Sequence, residues 1–363
     1  MVSTFPPALM RHWPLFCIAG AVLVAAAHAL HFLPATSTAY VGLSAVFLIG
    51  TVFAAVEHAE VISLRIGEPF GSIALAGAVT LIEVALIVSI ILSGTGAGSS
   101  IARDTVFATL MIVLNGVVGL CLLTGGLLHR EQEFHNTGST AALAVLGTLA
   151  TLTLILPNYA KSVPGPYYSP MELGFVAVIS LMLYGLFLFV QTIRHRNYFS
   201  EAAEPDHGAR PTGRATLVSV LILLLALVMV ILLAEGLTPV VSTAVTSAGL
   251  NPELIGVLIA AVVLLPEGTT AFRAARANHI QTSLNLALGS ALASIGLSIP
   301  AVAIFSMMLD RPITLGLASD HIVQIVLTLF IGTITLATGR TTIMQGGVHL
   351  VIFLTFLLFA AIP

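Results

Sequence analysis

Eleven apolar runs of about 20 residues, separated by short polar breaks, divide the chain at 14–33, 39–62, 70–93, 105–128, 139–157, 171–193, 215–246, 254–275, 282–308, 322–338 and 345–362. A helix of that length spans the roughly 30 Å hydrocarbon layer of a bilayer. The runs therefore predict an all-α polytopic membrane protein of about 11 transmembrane helices, with the lipid bilayer as its surroundings. Composition excludes the soluble alternative. Charged residues make up 8% of the chain, where soluble chains carry about 25%, and mean hydropathy is +1.07. A net charge of −3 gives nucleic acid no basic surface. Cys17 and Cys121 both lie inside apolar runs, so no disulfide framework is expected. The first run is read as a retained helix rather than a cleaved signal. Oligomeric state is not legible.

Orientation follows from the basic residues. With the N-terminus in the cytoplasm, Arg11, Arg65, Arg130, Arg194, Arg196, Arg210, Arg214, Arg273, Arg276 and Arg340 fall inside, and Arg103, Lys161 and Arg311 fall outside. Ten against three is a positive-inside bias, and an odd span count puts the C-terminus outside. The long polar segment 194–214 reads as a cytoplasmic linker. Four parts result: an extra N-terminal helix (1–38), a first five-helix repeat (39–193), the linker (194–214) and a second five-helix repeat (215–363). A break at Gly236 or Pro239 would raise the count to twelve, and the repeat argues against it.

The repeat shows in two segments, "SIALAGAVTLIEVAL" and "GVLIAAVVLLPEGTT". A shift of 184 residues aligns Ala76 with Ala260, Val79 with Val263, Leu81 with Leu265 and Glu83 with Glu267. The segments open near Pro69 and Pro252, and each is followed by a span of small and polar residues. Five spans separate the copies, an odd number, so the second copy is inverted. Inverted repeats meeting near the midplane are a common transporter plan.

Glu83 and Glu267 each stand fourteenth in their spans, near mid-depth. A carboxylate there costs about 2.5–3.5 kcal/mol on insertion scales, and its usual reason is function. Pro266 lacks an amide proton and frees the Val262 backbone carbonyl; with Gly268 beside it, a helix break is expected. Carboxylates and freed carbonyls, with Asn115, Asn285, Ser290 and Ser294 as neutral oxygens, form a hard-oxygen set suited to Ca²⁺. The serines serve packing equally well, because "GSALAS" spaces small residues four apart. Glu57, His58 and Glu60, with Glu235 in the corresponding region of the seventh span, are candidates for cytoplasmic access or pH sensing, or else for solvated helix ends. His349 reads as a helix-packing residue. A Ser290–His349 dyad would make an intramembrane serine protease, a distant alternative to transport.

The segments "HAEVISLRIGEPFGSIALAGAVTLIEVAL", "ARDTVFATLMIVLNGVVGL", "LLPEGTTAFRAARANHIQTSLNLALGSALASIGLSIPAV" and "TGRTT" resemble the bacterial Ca²⁺/H⁺ antiporters of the ChaA type, in the cation/Ca²⁺ exchanger superfamily. The resemblance covers almost the whole chain and is weakest before residue 40 and in the linker. It implies a bacterial inner-membrane antiporter that is not an enzyme and needs no cofactor. Glu83 and Glu267 would bind the ion, with Ca²⁺, Na⁺ or K⁺ exchanged for H⁺. Where the wider superfamily often has GN-x-x-E, this chain has "TLIE" and "LLPE". The charge count carries the first test: reporter fusions at the linker are expected to read cytoplasmic, and fusions at the C-terminus external. A cytoplasmic C-terminus would require an even span count and undo the inversion.

Overall fold

The computed structural model describes residues 7–35, 37–67, 70–92, 100–195, 198–199, 210–309 and 312–362. Most of the linker, with Arg196, and also Pro69 and Arg311, lie outside the described residues. The helices are α1 (Pro7–Ala29), α2 (Thr38–Ile66), α3 (Phe70–Leu92), α4 (Ile101–His129), α5 (Asn136–Tyr159), α6 (Pro170–Arg194), α7 (Gly213–Ser247), α8 (Leu254–Arg276), α9 (Ile280–Leu309), α10 (Ser319–Ala337) and α11 (Ile343–Ala361). Ten of them are long and apolar enough to cross a membrane, and α3 carries a shorter apolar stretch, Ile73–Ser89. Helices satisfy every backbone donor internally, as hydrocarbon requires. Their ends are capped by side chains: Ser37 accepts from the Tyr40 amide, and Ser169–Glu172 and Thr342–Gln345 form capping boxes. The α7 helix runs unbroken through Gly236 and Pro239, so the seventh run is one helix rather than two.

Compactness divides the chain differently from its sequence halves. One unit is Met1–Ser89 with His207–Ala248, and the other is Ile90–Asp206 with Gly249–Pro363. Each takes helices from both halves. In the first unit α2 lies along α7. A Cβ on Gly236 would strike the Tyr40 hydroxyl, and His58 Nδ1 is 3.2 Å from Ser219 Oγ. Residue numbers rise on one helix as they fall on the other, so these first helices of the two repeats are antiparallel. Helix α1 packs on α2 through Phe16 and Phe47, whose rings are 6.3 Å apart.

In the second unit, one end gathers the loops after α4, α8 and α10. There β1 (Gln132–Glu133) pairs antiparallel with β2 (Arg340–Thr341). Gln132 Nε2 donates to the Ala275 carbonyl at 3.2 Å and to Asn278 Oδ1 at 2.9 Å. The other end gathers the starts of α4, α8 and α10 with the ends of α5 and α11. Arg103 Nη1 donates to the Gly316 carbonyl at 3.1 Å, Asn158 Nδ2 to the Leu317 carbonyl at 2.8 Å, and the Asn251 amide to the Ala361 carbonyl at 3.2 Å. The repeat-equivalent pairs α4 and α9, α5 and α10, and α6 and α11 thus run in opposite directions, as inversion demands. Arg130, Arg273, Arg276 and Arg340 belong to the first end, and Arg103 and Lys161 to the second, the sorting expected from the charge pattern.

Helix α11 lies antiparallel on α4 along a glycine seam. A Cβ on Gly119 would stand 2.9 Å from His349 Cβ and 3.1 Å from the Leu350 amide nitrogen, and one on Gly126 would stand 2.9 Å from the Ile343 nitrogen. A Cβ on Gly346 would run into the Leu123 backbone, whereas Gly347 faces open space. Close backbone approach of this kind holds membrane helices together by van der Waals contact. Gly346→Val is therefore expected to lower stability by about 1–3 kcal/mol, with Gly347→Val near neutral. Thermal unfolding of the two purified variants in detergent checks this, and equal melting temperatures would refute the seam.

Candidate functional site

Glu267 sits in the second unit, on the part of α8 that carries Pro266 and Gly268. The expected helix break is not found: α8 is continuous from Leu254 to Arg276. Proline removes one ladder donor, and the turns around it hold. The Thr269 and Thr270 hydroxyls donate to the Pro266 carbonyl at 2.8 and 2.9 Å. Gly268 serves packing, because a Cβ there would stand 3.3 Å from Val117 Cγ2 of α4. The Val262 carbonyl loses the donor that Pro266 lacks, and it stays within a helix rather than at an open end.

Ser290 Oγ donates to Glu267 Oε2, so one of the neutral candidates is bonded to a glutamate. Ser294 lies four residues on, buried, where α9 passes into a π-helical turn, Ser294–Ser298. The repeat-equivalent α4 holds its own π-helical turn, Ile112–Val117. Such turns recur at functional positions because they redirect side chains. Tyr184 of α6, which the sequence reading did not single out, lies within electrostatic reach of Glu267 and against Gly296 of the α9 turn. No spacing marks it, since it comes from a distant span.

Asn115 and Asn285 are engaged elsewhere. Asn285 Nδ2 donates to the Phe199 carbonyl, and its Oδ1 accepts from Gln281 at 2.9 Å. Asn115 is fully buried in the α4 turn, donating to Thr328 Oγ1 at 2.9 Å, with Oδ1 3.0 Å from His349 Nδ1. His349 Nε2 lies 3.2 Å from Thr335 Oγ1. His349 is thus hydrogen-bonded at both nitrogens rather than simply packed. With Ser290 bonded to Glu267, no Ser290–His349 dyad exists among the described residues, and the protease reading falls.

In the first unit Glu83 is 4% exposed, at mid-length of α3. Glu57 and Glu60 share an exposed face of α2, and His58 bonds Ser219. Glu235 does not join them. It precedes Gly236, which packs on Tyr40 at the start of α2, 18 residues and about 27 Å of helix from His58. The antiparallel pairing of α2 and α7 sends equivalent positions to opposite ends.

A charged group outside the sequence expectation closes one end of the second unit. Arg103 bonds Asp104 at 2.7 Å and reaches Glu253 at 3.9 Å; His321 Nε2 lies 3.3 Å from Glu253 and 3.6 Å from Asp320. The Phe107 ring stacks on His321 at 4.5 Å. A cavity of about 430 Å³ beside it is lined by Arg103, Asn158, Pro166 and Gly316. Glu253 is held below the ordinary carboxylate range by the hydrogen bond from His321, then by the charges of His321 and Arg103, against the desolvation of its partial burial.

An all-helical membrane protein of opposed repeats, with a buried carboxylate on a mid-membrane helix, is a transporter by architecture. The chain belongs to the sodium/calcium exchanger protein family, which matches residues 36–193 and 218–362, and it is accordingly a secondary transporter. It is 51% identical over 354 residues to y4hA of Sinorhizobium fredii, a protein provisionally named an ionic transporter, covering 96% of this chain and 95% of that one. It is 32% identical over 323 residues to the sodium-potassium/proton antiporter ChaA of Escherichia coli, covering 87% of each. Its fold matches a crystal structure of the H⁺/Ca²⁺ exchanger CAX with a TM-score of 0.72 at 17% identity, over 96% of this chain and 88% of that one. The resemblance seen in the sequence is borne out.

Because Glu253 is depressed in the folded protein, its stabilising contribution is full above the ordinary carboxylate pKa of about 4.3 and is lost as pH falls through the lower folded value. Glu253→Gln is therefore expected to melt below wild type at pH 7, with the gap closing under strongly acid conditions. A gap unchanged with pH would contradict the pairing.

Proposed function

We propose that the protein exports Ca²⁺ from the bacterial cytoplasm across the inner membrane in exchange for protons, with Glu83 and Glu267 binding both ion and proton. The observation that carries this is Glu267 on a membrane-spanning helix, bonded by Ser290 from the repeat helix that follows. A carboxylate with a hydroxyl beside it is a hard-oxygen donor set. Glu83 holds the equivalent position of the first repeat, is equally central in its helix, and is buried. Two carboxylates match the charge of a divalent ion. Cation and protons then compete for one set of groups, and that competition couples the fluxes. An inward proton gradient drives the cation out as the repeats switch access. A second reading, Na⁺ or K⁺ against H⁺ on the same residues, is favoured by the name of the Escherichia coli relative.

Everted vesicles with a pH-sensitive dye, titrated with Ca²⁺, Na⁺ and K⁺, separate the two readings. Glu83→Gln and Glu267→Gln are expected to insert normally and to lose exchange, since glutamine keeps the shape and loses the charge. The half-saturating Ca²⁺ concentration is expected to rise as pH falls on the binding side, approaching about a hundredfold per pH unit when two protons must leave. Normal exchange by Glu267→Gln, or a half-saturation flat from acid to alkaline pH, would remove the shared-site mechanism.

A further inference from the structure

The Asn115–His349 bond ties α11 to the one part of α4 that departs from α-helical geometry. Asn115 lies inside the π-helical turn Ile112–Val117. Thr328 Oγ1 donates to the Gln324 carbonyl at 2.8 Å, so toward Asn115 it accepts, and the Asn115 amide group must face it. That leaves Asn115 Oδ1 toward His349, so Nδ1 carries the proton and donates at 3.0 Å. His349 Nε2 is then the acceptor for the Thr335 hydroxyl at 3.2 Å. Asn115 is 0% and His349 2% exposed, so no solvent competes for these bonds. The imidazole is fixed in one tautomer by partners on α4 and α10 together.

The turn that His349 holds is also the turn that meets Glu267's neighbour. Val117, two residues past Asn115, is the side chain against Gly268. A π-helical turn holds one residue more than the α-helical turn it replaces, and relaxing it to α-helix rotates everything beyond it by about one residue, roughly 100°. That rotation would carry Val117 off Gly268 and change the wall beside Glu267. The bonds of this network run among Asn115, His349, Thr328 and Thr335, and its influence on Glu267 runs through the helix.

We infer that His349 is a positioning residue for ion binding, which fixes the α4 π-helical turn through Asn115 and so sets the packing beside Glu267. The inference rests on the reading of Glu267 as an ion-binding group. It assigns Asn115 an orienting role in place of direct coordination.

The test compares His349→Asn, His349→Gln and His349→Leu by uptake of ⁴⁵Ca²⁺ and ²²Na⁺ into everted vesicles. Asparagine places a donor nitrogen where Nδ1 stood, and glutamine places one where Nε2 stood. His349→Asn is expected to keep the half-saturating concentration within about twofold. His349→Gln and His349→Leu are expected to raise it about tenfold, the worth of one buried hydrogen bond, with maximal rate largely kept. Asn115→Leu should match His349→Leu, and the double variant should add nothing. Solid-state ¹⁵N spectra of histidine-labelled protein, assigned by difference with His349→Asn, should show the Nδ1-protonated tautomer. Equal behaviour of the asparagine and glutamine variants, losses that follow melting temperature with half-saturation unchanged, or an Nε2-protonated ring would each overturn the inference. Glu267→Gln run alongside keeps the two ideas apart: its normal transport would reject the ion-binding reading, while the tautomer and the Asn115–His349 coupling would still report on the network.

Discussion

Hydrocarbon offers a polar group no partner, and each part of this structure answers that constraint. Backbone groups are closed into helices, helix ends are capped by Ser37, Ser169, Thr212 and Thr342, and several intramembrane polar side chains are bonded across helices or back onto their own helix. Asn115, His349, Thr328 and Thr335 satisfy one another from α4, α10 and α11. The same constraint explains why the glutamates stand out. A carboxylate held where bonding is so costly is retained for something it does in the ionised state, in the protonated state, or in passing between them.

Glycine is the second theme. Where α4 meets α11, backbones approach closely at Gly119, Gly126 and Gly346, and at Gly268 a missing side chain lets α4 settle beside Glu267. Apolar side chains gain nothing from meeting each other rather than lipid, so close contact and interhelical hydrogen bonds must hold the bundle. Many large apolar residues accordingly point outward, as Leu23, Leu221, Phe330 and Leu354 do, while others such as Leu110, Leu122 and Leu146 fill the interior.

Repeat inversion joins these themes to function. Antiparallel α2 and α7, and the opposed α4 and α9, give each half the same parts in reverse order across the membrane. Each of α4 and α9 carries a π-helical turn near its centre. A protein with two such halves has the symmetry that alternating access needs, because exchanging the conformations of the halves exchanges the open side.

The helix count, the opposed directions of α2 and α7 and of α4 and α9, and the central position of Glu83 and Glu267 in their helices were legible in the sequence, because run length and charge position are local properties that lipid reads directly. The pairing of Ser290 with Glu267 was legible only as a candidate among several oxygens. Tertiary packing alone sent Asn115 to His349 and Asn285 to Phe199, brought Tyr184 within electrostatic reach of Glu267, and set Glu235 near the opposite end of α2 from Glu57 and His58. It also kept α8 continuous through Pro266, where a local reading of proline and glycine expects a break. The reason is common to all of these. A side chain's type and depth are written in its own span, but its partner is chosen by which helix faces it, and that depends on contacts between residues far apart in the chain.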